Sequence, residues 1–312
     1  MSAPEPAAAS VVLPAVGHRA PGADTVVDPP AEVGFRPRLV ATDLDGTLLT
    51  SAGEVSPRTR AALEATWAAG IPVVGVTGRG PRLLESVSEA LDGRGIAVLA
   101  QGGYVVDLER DEVLRTVGLP RAQAADVIER IEAVAGDLVV AVEDAAEQAE
   151  ARGPLRVQHG FNWPYPEPAH LLPRHQVLPQ GAVLKVFLRS ATLDQDELLA
   201  LAEQAVDPAE AEVTHAGLGF IEVLPPGITK ATGLGVALEH YGVGFGDVLV
   251  FGDMPNDLPM IAAVSEAGGR AVAVANAHPA VRAAAEHLTS GDDADGVARY
   301  LEAVLLNGGP RV

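Results

Sequence analysis

The sequence predicts an α/β protein built on a doubly wound parallel sheet, with a smaller α+β domain inserted into it. Three observations carry that prediction. Short runs that are apolar at every position alternate with helical patterns, as they do when a parallel sheet is covered on both faces. This texture fills residues 37–115, stops, and returns over residues 218–312. The intervening residues 116–217 instead mix helices with strands of alternating character, the mark of a separate α+β unit.

The elements follow in order. Residues 1–36 are rich in Pro and Ala, and Pro4, Pro6, Pro14, Pro21, Pro29 and Pro30 interrupt any regular structure, so a disordered tail is expected there. Leu39–Thr42 reads as the first buried strand. A helix follows from Ser56 to Ala69, with Ser56-Pro57 as its start signal and Gly70 as its stop. Ile71–Val76 is a second strand, a helix starts near Pro81, Ile96–Ala100 is a third strand, and Tyr104–Arg115 reads as a hairpin. In the insertion, Arg121–Ala135 and Asp194–Ala205 are helical, while Leu138–Val142 and Ala182–Leu188 are strands. The core pattern resumes with a helix at Gly233–His240, a strand at Val248–Phe251, a helix at Asp257–Val264 and a strand at Ala271–Ala275. Helices at His278–Glu286 and Gly296–Leu306 close the chain.

Composition narrows the function. Over 312 residues, 22 Lys+Arg stand against 42 Asp+Glu, a net charge of −20 at pH 7. Such a field repels nucleic-acid phosphates and anionic membrane surfaces, which require clustered cations, so neither is an expected partner. Cysteine is absent, which excludes disulfides, thiolate metal sites and cysteine nucleophiles, and fits a reducing cytoplasm. No apolar run approaches the roughly 18 residues of a membrane span, and the N-terminus lacks the basic start of a secretory signal. A soluble, cytoplasmic protein is expected.

Four strand-end signals bear chemistry. Asp43-Leu44-Asp45-Gly46-Thr47 follows the first strand directly. Alternation along an extended segment would turn Asp43 and Asp45 to one side, at the carboxyl end of the sheet where open α/β folds bind ligands. Two close carboxylates call for a cation, and hard oxygen ligands suit Mg²⁺. Val76-Thr77-Gly78-Arg79 ends the second strand and opens a helix, offering a hydroxyl and backbone N–H groups to an anionic oxygen. Lys230 stands just before a helix in Pro225-Pro226-Gly227-Ile228-Thr229-Lys230 and would balance a phosphate. Phe251-Gly252-Asp253-Met254-Pro255-Asn256-Asp257 places Asp253 at a strand end and Asp257 where it would cap the next helix or support a metal. Taken singly, Thr77-Gly78 is a common turn and Lys230 an ordinary solvated lysine.

Taken together and in this order, ATDLDGTLL, VVGVTGR, PGITK and VLVFGDMPNDLPM resemble the haloacid dehalogenase superfamily, specifically its Cof-like phosphatase branch. The resemblance covers about residues 38–306. It implies a Rossmann-like core and makes the insertion a substrate-specificity cap of the C2B type. It further implies a Mg²⁺-dependent phosphatase acting on a small phosphorylated metabolite, such as a sugar phosphate, through an aspartyl-phosphate. In that scheme Asp43 is the nucleophile and Asp45 the acid/base, whose presence argues against dehalogenation. Thr77 and Lys230 hold the phosphoryl oxygens with Leu44, Gly78 and Asn256. Mg²⁺ is held by Asp43, the backbone carbonyl of Asp45 and Asp253, with Asp257 in support. Gln101-Gly102-Gly103 stands where the family usually has Asn-Gly, which puts any contact of that position with the cap in question. The polar and aromatic cap candidates for substrate contact are His159, Asn162, Trp163, Tyr165 and Lys185. A phosphomutase or phosphotransferase on a sugar phosphate, and a non-catalytic phosphometabolite-binding protein, stay open as alternatives.

Overall fold

The computed structural model describes residues 21–28, 35–145, 153–163, 169–215 and 219–307. The apolar runs become β1 (Leu39–Thr42), β2 (Val73–Val76) and β3 (Ile96–Leu99), each buried at every position. Between them lie α1 (Pro57–Ala68) and α2 (Leu84–Ala90). Ser56 starts α1 by accepting a hydrogen bond from the Thr59 N–H at 3.0 Å, with Pro57 in the first turn. The hairpin β4 (Tyr104–Asp107) and β5 (Glu112–Thr116) then extends the sheet antiparallel to β3.

The inserted unit runs α3 (Arg121–Ala135), β6 (Leu138–Asp144), β7 (Leu155–Gln158), β8 (Ala169–Leu172), α4 (Arg174–Val177), β9 (Val183–Ser190), α5 (Gln195–Ala205), β10 (Glu212–His215) and β11 (Ile221–Leu224). The core resumes with α6 (Lys230–Tyr241), β12 (Val248–Gly252), α7 (Leu258–Glu266), β13 (Arg270–Val274), α8 (Pro279–Ala284), β14 (His287–Thr289) and α9 (Gly296–Asn307). The core sheet has the order β14-β13-β12-β1-β2-β3-β4-β5, its first six strands parallel. Alternate strand residues feed two apolar layers. Val40 and Leu249 meet α1, α2 and α9 through Leu63, Val87 and Leu301, while Ala41 and Val250 meet α6, α7 and α8 through Leu234, Ile261 and Val281. That double cover is what lets strands without a polar position persist.

The cap sheet has the order β10-β11-β9-β6-β7-β8. Val140, Val142, Val186 and Leu188 face α3 and α5, and Ala141 and Phe187 face the opposite side with Phe161, Phe220 and Trp163. Here the structure corrects the expected junction at residue 218. Ile221–Leu224 pairs with β9 and β10 inside the cap sheet, so the chain returns to the core only after Leu224. The reason is the hairpin: β10 is a polar-textured strand that needs β11 beside it to complete its hydrogen bonding.

A second correction concerns the N-terminal tail. Residues 21–28 lie against the core. Ala23 is buried, the Gly291 N–H donates to the Thr25 carbonyl at 2.9 Å, and Ser290 Oγ both accepts from the Val27 N–H at 2.9 Å and donates to the Val27 carbonyl at 3.0 Å. The Thr25 N–H closes a turn on the Gly22 carbonyl at 2.9 Å, and the bonds to the Ser290 hydroxyl and the Gly291 N–H take the place of those of a regular element. The remaining residues up to 20, and 29–34, lie outside the described residues.

Candidate active site

β1 and β12 are parallel neighbours, so the residues leaving their carboxyl ends emerge side by side. The Asp43 N–H donates to the Phe251 carbonyl at 3.1 Å, which continues the ladder one step past β1. Asp253 stands at the matching place beyond β12 and accepts a hydrogen bond from Thr47 Oγ1 at 3.1 Å. Between them Gly46 has φ +76, and a Cβ there would lie 2.6 Å from Asp253 Oδ2, so only glycine fits that turn. Asn276, after β13, donates from Nδ2 to the Gly46 carbonyl at 2.7 Å and steadies the turn from the other side.

Lys230 opens α6 and is 1% exposed. Its Nζ donates to Asp43 Oδ1 at 2.5 Å and to Asp257 Oδ1 at 2.6 Å. The lysine reaches this depth because α6 crosses β3 and the following turn very closely. A Cβ on Gly233 would sit 2.6 Å from the Gly102 Cα and would also overlap Val98. Asp257 accepts with Oδ2 from the N–H groups of Asp253 and Met254, at 2.9 and 3.0 Å, and so shapes the loop that presents Asp253.

Ligand oxygens of Asp43, Asp253 and Asp257 lie within 4.8 Å of one another, all buried. Three carboxylates around one lysine leave a deficit of positive charge. Burial pushes the Asp43 carboxyl well above its usual range; Lys230 opposes this, while Asp257, Asp253 and Asp45 add to it. Asp253 is pushed up to about 7, chiefly by burial and then by Asp257, against Lys230 and the Thr47 hydrogen bond. Burial alone would lower the Lys230 ammonium, but Asp257 and Asp43 outweigh it and hold it above its ordinary value. A divalent cation with a preference for oxygen fits this donor set and charge. Asp257 already spends both oxygens on Lys230 and the loop, which leaves Asp43 and Asp253 as the carboxylates most open to an ion.

The remaining expected residues fall around this centre. The Asp45 carboxylate does not join the acidic trio, in contrast to the strand-alternation argument. It forms a two-pronged pair with Arg79, Nε to Oδ2 at 2.9 Å and Nη2 to Oδ1 at 2.6 Å, and is the more exposed of the two aspartates. The physical reason is that the chain turns immediately after Asp43, with Thr47 N–H bonded to the Leu44 carbonyl, so the period of two no longer holds. Leu44 packs its side chain in the core. Thr77 is buried at the end of β2, its Oγ1 accepting from the Arg79 N–H at 3.1 Å. Gln101, at φ 59, sets its amide over Gly78 and accepts from Asn256 Nδ2 at 3.3 Å, so this unusual position tethers Asn256 rather than the cap.

Among the cap candidates, Lys185 and Trp163 come to the interface with the core. Lys185 Nζ donates to the Gly78 carbonyl at 2.8 Å, and Arg82 lies over the Trp163 ring at 5.5 Å. His159 is exposed, and Asn162 lines a cavity of about 490 Å³ with Glu132, Arg174 and Arg189, away from the core motifs. Tyr165 lies outside the described residues. Sequence reasoning did not assign roles to Arg79, Thr47 or Asn276. Thr47 and Arg79 stood inside quoted motifs, and Asn276 follows a buried strand as the other site residues do, so the strand-end position was the available signal.

The family model described as haloacid dehalogenase-like hydrolase matches residues 40–301. The chain belongs to that family. Among its relatives, the pyridoxal phosphate phosphatase YbhA of Escherichia coli (strain K12) is 27% identical over 277 residues, 86% of this chain and 99% of that protein. The phosphoglycolate phosphatase of Methanothermobacter thermautotrophicus is 29% identical over 261 residues, 84% of this chain and 96% of that one. A haloacid dehalogenase-like hydrolase from Bacteroides thetaiotaomicron superposes with a TM-score of 0.70 at 26% identity, covering 86% of this chain and 99% of that structure. The family model begins at residue 40, so the packed segment 21–28 lies outside it. No helix among the described residues is long and apolar enough to cross a membrane.

Proposed function

We propose that this hydrolase is a Mg²⁺-dependent phosphatase of small phosphomonoesters that works through an aspartyl-phosphate on Asp43. The observation that carries the proposal is the bridge from Lys230 to Asp43 and Asp257, with Asp253 alongside, at the carboxyl ends of two adjacent parallel strands. Lys230 fixes the Asp43 carboxylate and works against the effect of burial on it, favouring the ionised oxygen that a nucleophile must present. An Asp43 oxygen attacks phosphorus and the bond from phosphorus to the ester oxygen breaks. Asp45, on the exposed side and released from Arg79, gives its proton to the departing oxygen. It then takes a proton from the water that attacks the aspartyl-phosphate, which restores Asp43 and frees phosphate. The Thr77 hydroxyl, the N–H groups of Leu44 and Gly78, and Asn256 receive the non-bridging oxygens, where Lys230 offsets the charge that grows in the transition state. Asp43, Asp253 and the Asp45 carbonyl would hold Mg²⁺, with Asp257 behind them, and the ion supplies the positive charge that three carboxylates and a dianionic phosphoryl group require.

The relatives named above act on pyridoxal phosphate and phosphoglycolate. Both are small phosphate esters, and the same class is proposed here. The test is phosphate release from a panel of phosphomonoesters, with Mg²⁺ and with excess chelator. Metal-dependent release supports the proposal. Transfer of the phosphoryl group to an added hydroxyl compound, with little free phosphate, would contradict hydrolysis.

A further inference from the structure

Two loops lie side by side at the carboxyl end of the core sheet, residues 275–278 after β13 and residues 290–291 after β14, where the Ala275 N–H donates to the Ser290 carbonyl at 3.4 Å. The first of them grips both halves of the acidic site. Asn276 Nδ2 donates to the Gly46 carbonyl at 2.7 Å, and the His278 N–H donates to the Asp253 carbonyl, also at 2.7 Å. Gly46 stands between Asp45, whose carbonyl is assigned to Mg²⁺, and Thr47, whose hydroxyl bonds Asp253 at 3.1 Å. Asn276 is itself fixed, 7% exposed and accepting at Oδ1 from the Asp292 N–H at 3.1 Å. A shift of this loop is therefore a shift of the oxygens that would hold the metal.

Residues 21–28 press on both loops, backbone against backbone. Gly22 has φ +95, and a Cβ there would lie 2.7 Å from the Ala275 carbonyl oxygen and 3.4 Å from the Asn276 Cα. On the other loop, a Cβ on Gly291 would overlap the carbonyls of Gly22 and Ala23. Approaches this close need glycine at both 22 and 291, so the two parts of the chain are fitted to one another. Ala23 is 2% exposed, the Thr25 carbonyl accepts from the Gly291 N–H, and Val27 bonds the Ser290 hydroxyl through both its N–H and its carbonyl. All of this precedes the residues matched to the family.

We propose that residues 21–28 are a positioning segment of the active site: packed on Ala275 and Asn276, they hold the loop that fixes Gly46 and Asp253 and so strengthen the binding of Mg²⁺. The metal site belongs to the phosphatase reading, and the inference rests on it. The segment touches neither ion nor substrate and acts through Asn276. Groups that orient metal ligands in this indirect way commonly govern affinity for the ion by about tenfold or more.

The test begins with the unaltered protein. If the segment strengthens Mg²⁺ binding, Mg²⁺ must hold the segment in place by the same factor. Amide exchange of the peptide covering residues 22–28, read by mass spectrometry, should slow about tenfold on adding Mg²⁺, with β8 at the edge of the cap sheet as reference. An unchanged rate would overturn the inference. Deletion of residues 1–28, Gly22→Val in the whole chain, and Asn276→Ala are each expected to weaken Mg²⁺ by about tenfold in calorimetry, and to speed metal-free exchange in the peptide covering residues 44–49. The deletion combined with Asn276→Ala should stay within about threefold of either change alone, because both act through one loop. Losses that multiply, or variants that melt lower yet bind Mg²⁺ as the wild type does, would overturn the inference and leave the segment a thermal clamp. Thermal unfolding identifies a variant that does not fold, and exchange in the unaltered protein then decides. Mg²⁺ binding without phosphate release from p-nitrophenyl phosphate would overturn the phosphatase reading and leave the positioning role standing. No Mg²⁺ binding by the unaltered protein would overturn both.

Discussion

Replacing Lys230 by Met keeps the length and apolar stem of the side chain but removes the charge from the centre of the site. Lys230 is the shared partner of Asp43 and Asp257, at 2.5 and 2.6 Å, and is 1% exposed, so water does not take its place freely. Each lost bond is charge-assisted and worth about 1.5–3 kcal/mol. If both act on the transition state, the loss is about 3–6 kcal/mol, or roughly two to four orders of magnitude in kcat. Stability responds differently. Breaking a buried ion pair costs about 3–5 kcal/mol when the remaining charge stays. Asp43 can escape that cost by protonating, since burial already holds its pKa up. The native state of Lys230→Met then binds more protons than the unfolded chain above the ordinary carboxylate range, so its stability falls as pH rises. Steady-state rates and thermal unfolding at about pH 5 and about pH 8 read both effects. The variant's melting temperature should lie closer to wild type at the lower pH. A kcat within about threefold of wild type would refute the role given to the lysine.

Other expectations follow from the same geometry. Without metal, Asp253 titrates near 7 in the folded protein, above the 3.8 of an ordinary aspartate. Between those values the native state binds the extra proton, so metal-free stability declines as pH rises through that window. Mg²⁺ must displace the proton, so its increase in melting temperature should grow from about pH 5 to about pH 8; an increase independent of pH would contradict the assignment of Asp253. Deleting residues 1–28 removes the burial of Ala23 and the bonds to Ser290 and Gly291, and should lower the melting temperature by about 5 °C. An unchanged melting temperature would restore the view of this segment as an inert tail. Gly233→Ala would force a Cβ against Gly102 and Val98 and displace the start of α6, costing about 1–3 kcal/mol and reducing activity through Lys230.

Much of the core was legible because its determinants are local. Strands apolar throughout, helix starts such as Ser56-Pro57, and polar motifs at strand ends each leave a short-range mark. Asp43, Lys230, Asp253 and Asp257 are drawn together by the parallel order of β1 and β12 and by α6. The cap was harder to read. β7, β8, β10 and β11 have only four residues each, too few to show a period, and the junction after Leu224 depends on a hairpin pairing between strands. Asp45 departed from expectation because a turn begins one residue after the strand, and segment 21–28 because its partners, Ser290 and Gly291, lie at the far end of the chain.

The central claim is that Asp43 carries the phosphoryl group. It is tested most directly in Asp45→Asn, which keeps Asp43 and Lys230 but cannot take a proton from water. After brief reaction with Mg²⁺ and p-nitrophenyl phosphate, whose leaving group departs without a proton from Asp45, acid quench and peptide mass spectrometry should find one phosphoryl group on the peptide bearing Asp43. Asp43→Asn treated in the same way should carry none and release no phosphate. A phosphoryl group on any other residue, or undiminished turnover in Asp43→Asn, would contradict the account.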